Sequence, residues 1–366
     1  MKRVLAILMA LSILMSAVLA VDTGAGVGIN IETEDFPPMI WMCDQRIVRD
    51  DNVETGRVSA GGQELLERTK NYAFEGEQIS WKVLVLDKNG YEKIKDVYVS
   101  VGPVQGNGEY IEANCVLDHV LPYNESISSS CNARIQEEEI THALADNIMA
   151  YYTCTLTVES PASMHGEYWI TASIVDLDGL LGTMAENEYW FLNPVVALTI
   201  GGTPLNFGIV RPGTVAYSNT LKVGNGAETG SGVMMDMFVS GTDFTDPSHS
   251  GAKCPTTNQL SLKNFRYFAT NGAYATQNDQ HVNSGGAVTR NKDAEGYVNI
   301  EYGNYFSRAL YNDAEIIQSP AMDGLYYRGN ILSPGSEMSV TLKLALPLPC
   351  NGDFSDGKIF FWGEAI

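Results

Sequence analysis

The chain has 366 residues, enough for two domains that each bury a core. Hydrophobic residues make up 45% and charged residues only 18%, with 35 glycines, which excludes wholesale disorder and fits a turn-rich β fold. A net charge of −21 argues against nucleic-acid partners and anionic lipid surfaces, and leaves cations, basic partners or a simple solvated surface.

Met1–Ala20 reads as an export signal. Lys2 and Arg3 form a basic start, and Val4–Leu19 is apolar except at Ser12 and Ser16. Val18 and Ala20 place small residues at −3 and −1, which predicts cleavage after Ala20. Loss of Lys2 and Arg3 takes the charge from −21 to −23. The alternative is retention of the apolar run as an anchor. No later segment is apolar enough to span a bilayer, so no span remains after cleavage.

Residues 21–36 read as an N-terminal extension or first strand. Within them Val21–Ile31, VDTGAGVGINI, is short, apolar and Gly-spaced. Such a segment can add itself as a strand to the open sheet of a second copy.

The first domain is predicted over 37–194. In Gln78–Leu86, Ile79, Trp81, Val83 and Val85 share one face, and Asp87-Lys88-Asn89-Gly90 ends the strand in a turn. Val97, Val99 and Val101 alternate next. Cys154–Val158 alternates again, as do Tyr168, Ile170, Ala172 and Ile174. Glu188–Leu192 is a short aromatic strand ending at Asn193-Pro194, the predicted boundary. The exception is Gln136–Met149, where Ile140, Leu144 and Ile148 recur every four residues behind Glu137–Glu139. That pattern predicts one short helix.

The second domain is predicted over 195–366. Its strands are expected at Leu205–Ile209, Asn219–Val223, Val233–Val239 and Ile359–Trp362. Met338, Val340, Leu342, Leu344 and Leu346 give the cleanest half-buried alternation in the chain. Residues 271–296, rich in Gly and Asn, read as a long loop. The fold class is therefore all-β, two antiparallel β-sandwich domains of Ig-like type in tandem, with one short helix in the first.

All six cysteines follow the signal segment. An even number in an exported chain predicts disulfides. Cys254 and Cys350 are the only two beyond residue 195, which pairs them if each domain closes its own bridges. The first four allow three pairings. The short loop favours Cys115–Cys131, leaving Cys43–Cys154. Asn124-Glu125-Ser126 is the only glycosylation sequon and falls after Pro122, in an expected loop.

Catalytic signatures are missing from the sequence. His119, His142, His165, His249 and His281 form no H-E-x-x-H or H-x-H, and there is no G-x-S-x-G. Glu137–Glu139 is expected to cap a helix rather than pair as glycosidase acids. We expect no enzyme and no cofactor beyond a calcium ion. Asp176 and Asp178, in Asp176-Leu177-Asp178-Gly179, offer hard oxygens of the kind calcium takes. Asp243 and Asp246 form a second such cluster, and turn chemistry explains both equally well. Trp81 and Trp169 sit in alternating strands and are expected in the core, while Tyr326-Tyr327 is expected as an exposed pair in a loop.

Two stretches carry a resemblance. Gly166-x-Tyr168 running to Asp176-x-Asp178-Gly179 resembles the penultimate strand of Ig-like and PKD-like extracellular domains, and Glu75-Gly76-Glu77 before Trp81 resembles their second strand. The resemblance implies that Tyr168 packs as a tyrosine corner. Leu205-x-Phe207-Gly208-x-Val210-x-Pro212-Gly213, then Leu221-x-Val223-x-Asn225, is similar to Ig-like sandwich domains of envelope proteins. It also resembles the jelly-roll subunits of archaeal and bacterial extracellular fibres, and the whole chain resembles archaeal secreted proteins. The function implied is a non-enzymatic structural or adhesion protein, secreted or on the cell surface. Its partner would be a protein or the cell envelope, including a second copy of itself. The alternatives are a fibre subunit assembling by strand addition and a secreted carbohydrate-binding protein.

Overall fold

The structure is a computed structural model that describes residues 30–50, 70–106, 111–132, 140–279, 291–304, 314–318, 321–323 and 326–366. The predicted signal segment and most of Val21–Ile31 lie outside these residues. Met1–Asp35 is one unit, in which residues 30–35 are exposed and carry no regular secondary structure. Phe36–Ile366 is the other.

Eight strands come first: β1 (Met39–Asp50), β2 (Tyr72–Ala73), β3 (Glu77–Leu86), β4 (Ile94–Gly102), β5 (Ile111–Val120), β6 (Met149–Thr157), β7 (Gly166–Asp176) and β8 (Leu181–Leu192). They hydrogen-bond in the order β1-β3-β6-β5-β4-β7-β8-β2. In β5 the pairing changes hands: Ile111–Ala113 bond to β4, and Asn114–Val120 bond to β6. The strands on either side of that switch face one another across a shared core. Ile79, Trp81, Val83 and Val85 of β3 meet Val99, Ile170, Ala172 and Trp190 there. Trp81 and Trp190, each 2% exposed or less, pack edge to face at 6.0 Å. Gly182 in β8 is required by a close approach, because a Cβ would collide with the Pro38 carbonyl just before β1.

The predicted helix does not form over its described half. Residues 140–148 run through bends and turns, and β6 starts at Met149. Ile140 is buried but Leu144 is exposed, so the four-residue spacing marks no common face. Asn147 sits at φ 60, a left-handed conformation that no helix interior accepts. The α-helix among the described residues is the single turn α1 (Ser129–Asn132), beside short 3-10 turns such as Tyr91–Lys93. Both segments cover the outer face of β3. Leu84 and Leu86 pack there with Trp41, Leu121, Ile127 and Ile140 in a second cluster. The sequence shows β3 as one-sided; this cover buries both sides.

Beyond Pro194 the strands are shorter. β9 (Leu198–Gly201), β10 (Val215–Tyr217), β11 (Leu221–Asn225), β12 (Met235–Gly241), β13 (Phe244–Thr245), β14 (Gln259–Leu260), β15 (Phe265–Asn271) and β16 (Tyr274–Ala275) are followed by β17 (Val298–Asn299), β18 (Glu301–Tyr302), β19 (Met322–Asp323), β20 (Tyr326–Tyr327), β21 (Ile331–Leu332), β22 (Glu337–Ala345) and β23 (Ile359–Ala365). One sheet runs β16-β15-β22-β11-β9, with β10 beside β22 and β17 beside β15. The other is centred on β12, which bonds β18, β21 and β23. Met338, Val340, Leu342 and Leu344 point inward from β22, as their alternation predicts, and meet Met235, Met237 and Val239 of β12. The fold is thus all-β in both halves, built of sheets packed in sandwich-like layers.

One strand prediction and one loop prediction change. Leu205–Ile209 forms no strand: Asn206 Oδ1 accepts the Gly208 N–H at 2.7 Å, and the chain turns at Gly208 with φ 65. Leu205 and Phe207 still pack against the core, which accounts for the apolar pattern. Within 271–296, residues 271–275 instead close a tight hairpin, while 280–290 lie outside the described residues.

The disulfides are Cys43–Cys131, Cys115–Cys154 and Cys254–Cys350. The two favoured pairings of the first half are therefore exchanged. Cys115 and Cys154 stand directly opposite on β5 and β6, a register that spacing along the chain does not reveal. Strand β5 continues to Val120 before the chain reaches α1, which carries Cys131 to Cys43 on β1 instead.

The halves share apolar contacts. Tyr72 and Phe191 belong to the core of the second half. Asn193 fixes the junction at φ 49, with its Nδ2 donating to the carbonyls of Glu159 (2.7 Å) and Met164 (2.6 Å) and its Oδ1 accepting the Glu75 N–H (2.6 Å). Asn193→Ala removes all three bonds and strands backbone groups in a buried place. It is expected to cost about 3 kcal/mol, read by urea denaturation.

Candidate functional site

Asp176 is buried, and its Oδ1 accepts the N–H of Asp178 at 3.0 Å and of Leu180 at 2.7 Å. This is the Asx geometry of a β-turn joining β7 to β8. Asp178 pairs with Lys93 Nζ at 2.8 Å at the surface. Among the described residues no cluster of His, Cys, Asp or Glu is arranged to hold a metal ion. Melting with calcium and with chelator tests the ion directly: a rise of several degrees with calcium would place it at this turn, and no shift would set it aside.

Asp243 and Asp246 also organise their own loop. Asp243 Oδ1 accepts from the Leu262 N–H (2.6 Å) and the Tyr302 hydroxyl (2.7 Å), and its Oδ2 accepts from Gln259. Asp246 accepts from the Ser248 and Ser250 hydroxyls and from the N–H groups of Ser248 and Ala252. The Ser248 hydroxyl, with these other donors, outweighs burial and holds the carboxyl at about 2. Its stabilising contribution is complete above the unfolded value of 3.8 and is lost as pH falls toward 2.

Asn124 is exposed in the turn after β5, at φ 64. His119 and His165 pair with Glu125 (3.1 Å) and Glu228 (3.0 Å), and His281 lies outside the described residues. Tyr168 is half-buried against the first core, and its hydroxyl makes no hydrogen bond among the described residues. A tyrosine corner needs such a bond to the backbone. Tyr326 is buried in β20, contrary to the exposed loop expected of it.

Trp81 is core, but Trp169 is not among the core residues. It stands across from Tyr189 on the opposite face of β7, with ring centroids 5.3 Å apart. Tyr189 borders a cleft of about 440 Å³ at the junction of the halves. Lys70, Asn71, Glu188 and Tyr189 line one side, and the turn Gly230-Ser231-Gly232 lines the other. Tyr189 is 36% exposed. Asn71 Nδ2 reaches the Tyr189 carbonyl at 3.4 Å, while Asn71 Oδ1 is buried and accepts no hydrogen bond. Gly230 at φ 88 keeps the turn free of a side chain at the cleft. Sequence reasoning missed this place because it joins residues more than 150 positions apart.

A second cluster lies on the outer face of the larger second-half sheet. Lys343 of β22 is held by Asp293 (2.8 Å) and Glu295 (3.0 Å), with Tyr297 and Tyr217 around it. The bond to Asp293 raises the lysine further above its ordinary value. The Tyr217 hydroxyl, donating at 2.8 Å, lowers Glu295. These groups satisfy one another and join β10 and β22 to the 293–297 loop, a structural role.

Fold and cysteines define a class: an all-β chain of sandwich-like sheets, closed by three disulfides. No family profile matches the sequence, and no curated protein matches it. Solved structures with partial likeness include the C-terminal domain of the Streptococcus agalactiae AgI/II polypeptide BspA. It is 11% identical, with 90% of this chain and 97% of that chain covered, at a TM-score of 0.30. The C-terminal domain of the Streptococcus pyogenes antigen I/II-family protein AspA is 11% identical, covering 89% and 99%, at 0.28. A DUF4466 family protein from Parabacteroides merdae is 10% identical, covering 83% and 98%, at 0.23. At these TM-scores no shared topology is established, and no residue or role passes from them to this chain.

Proposed function

We propose that the chain is a non-enzymatic structural or adhesion protein, secreted or held at the cell surface, with a protein or cell-envelope partner. The observation that carries this reading is the use of all six cysteines in three disulfides. Such bonds persist outside the reducing cytosol. The pairing order of the first half supports it further. β1-β3-β6-β5 against β4-β7-β8 is the A-B-E-D and C-F-G arrangement of immunoglobulin-type sandwiches, which supports reading this half as an Ig-like module. Residues 21–366 are expected to bind envelope fractions of the source cells saturably. Full recovery in the unbound fraction at every concentration would contradict the adhesion reading.

A second reading, a fibre subunit, is favoured by β9. It bonds only β11 among the described strands, and Ile200 and the preceding Val195 and Val196 are exposed. An open apolar edge is a template for an added strand. Light scattering that gives one chain mass at all concentrations would set this reading aside.

A further inference from the structure

The outer face of β8 carries an aromatic strip that outruns the junction. Phe191 is covered by the second half, but Tyr189, two residues earlier on the same face, is not. Trp169 extends the strip sideways onto β7. The cleft opens where this cover stops.

Its lining selects a ligand class. Lys70, Asn71, Glu188, Tyr189, Gly230, Ser231 and Gly232 present more apolar than polar surface, with a few polar groups among it, as the C–H faces and hydroxyls of one ring require. Lys70 and Glu188 bring charges of both signs, so neither a cation nor an anion is favoured locally. At the scale of the whole chain, a net charge of −21 repels anions. A neutral polyhydroxylated ring fits all of these conditions. Its C–H face packs on the Tyr189 ring, and its hydroxyls donate to acceptors and accept from donors. The volume, about 440 Å³, falls in the range of small-ligand sites, which favour junctions between domains.

We propose that this cleft binds a neutral saccharide, with Tyr189 as the stacking platform and the exposed Lys70 as a hydroxyl partner. The proposal rests on the surface-protein reading and names a ligand for it. The test is titration of the purified full chain with neutral gluco-, galacto-, manno- and N-acetylglucosamine oligomers, beside sialylated and uronate oligomers. Tyr189→Ala and the exposed Lys70→Ala are titrated in parallel, with Tyr189→Phe as the conservative variant. A neutral oligomer is expected to bind, about tenfold or more weaker to Tyr189→Ala and within a few-fold of native to Tyr189→Phe. Lys70→Ala is expected to weaken it with an unchanged melting temperature, which separates binding from folding. Absence of neutral-oligomer binding overturns the proposal. So does binding that both alanine variants leave intact, or binding of acidic oligomers alone. If envelope fractions still retain the chain, the adhesion reading stands without the sugar. If the chain proves cytosolic with free thiols, that reading fails whatever the titration gives.

Discussion

Replacing Cys254 and Cys350 together with alanine is expected to lower stability by about 4–5 kcal/mol. The bond closes a loop across a sequence separation of 96, the longest of the three. Constraint of the unfolded chain grows with the logarithm of that length. In the folded state the bond ties the segment before β14 to the segment after β22. Beside it Lys253 and Asn351 exchange two backbone hydrogen bonds, each 2.9 Å. Both cysteines are buried in the second-half core, so the alanines also leave a small void. Guanidinium denaturation of the variant against the native chain measures the loss. A difference under about 1 kcal/mol would mean that the neighbouring backbone bonds alone hold the loops.

The second large effect belongs to Asp236. It lies in the middle of the smaller second-half sheet, 1% exposed, opposite Glu364 on β23. Asn330 Nδ2 donates to its Oδ1 at 2.7 Å. Burial lifts the carboxyl from 3.8 to about 7, against the opposing hydrogen bonds from Asn330 and the Met237 N–H. The folded chain therefore keeps this proton up to near pH 7, while the unfolded chain releases it near pH 4. Between those values the folded state binds more protons, so the contribution of Asp236 to stability falls as pH rises. This is the reverse of the behaviour of Asp246. Asp236→Asn keeps the shape and the acceptor oxygen and cannot ionise. It is expected to be more stable than the native chain by about 4 kcal/mol at pH 8, and within about 1 kcal/mol of it at pH 4. Urea denaturation of both proteins at pH 4, 6 and 8 checks this. A difference that does not change with pH would show that Asp236 stays in one protonation state throughout.

The sequence was most legible where one strand face meets one core. β22 and the inward face of β3 follow from alternation alone, because period two places every second side chain on the same side. Reading failed where a third layer intervenes. Leu84 and Leu86 are buried by the segment after β5, and the same burial makes Ile140 look like part of a helix. Asp236 on β12 reads as the polar face of an ordinary strand, yet β12 is buried on both faces. Disulfide pairing in the first half depends on β5 lying beside β6, a neighbour relation that spacing does not contain. The aspartate turns were visible as turns, and their hydrogen bonds explain them as such. The cleft was invisible, since its walls come from the residues just before β2, from β8 and from a turn in the other half.

The most direct test is the cysteine state of the chain taken from its own cells, alkylated at lysis. Peptide mapping is predicted to find a chain beginning after Ala20 in the extracellular or envelope fraction. No cysteine should be alkylated, and the linked peptides should join Cys43 to Cys131, Cys115 to Cys154 and Cys254 to Cys350. A cytosolic chain with six alkylated cysteines would contradict the surface reading.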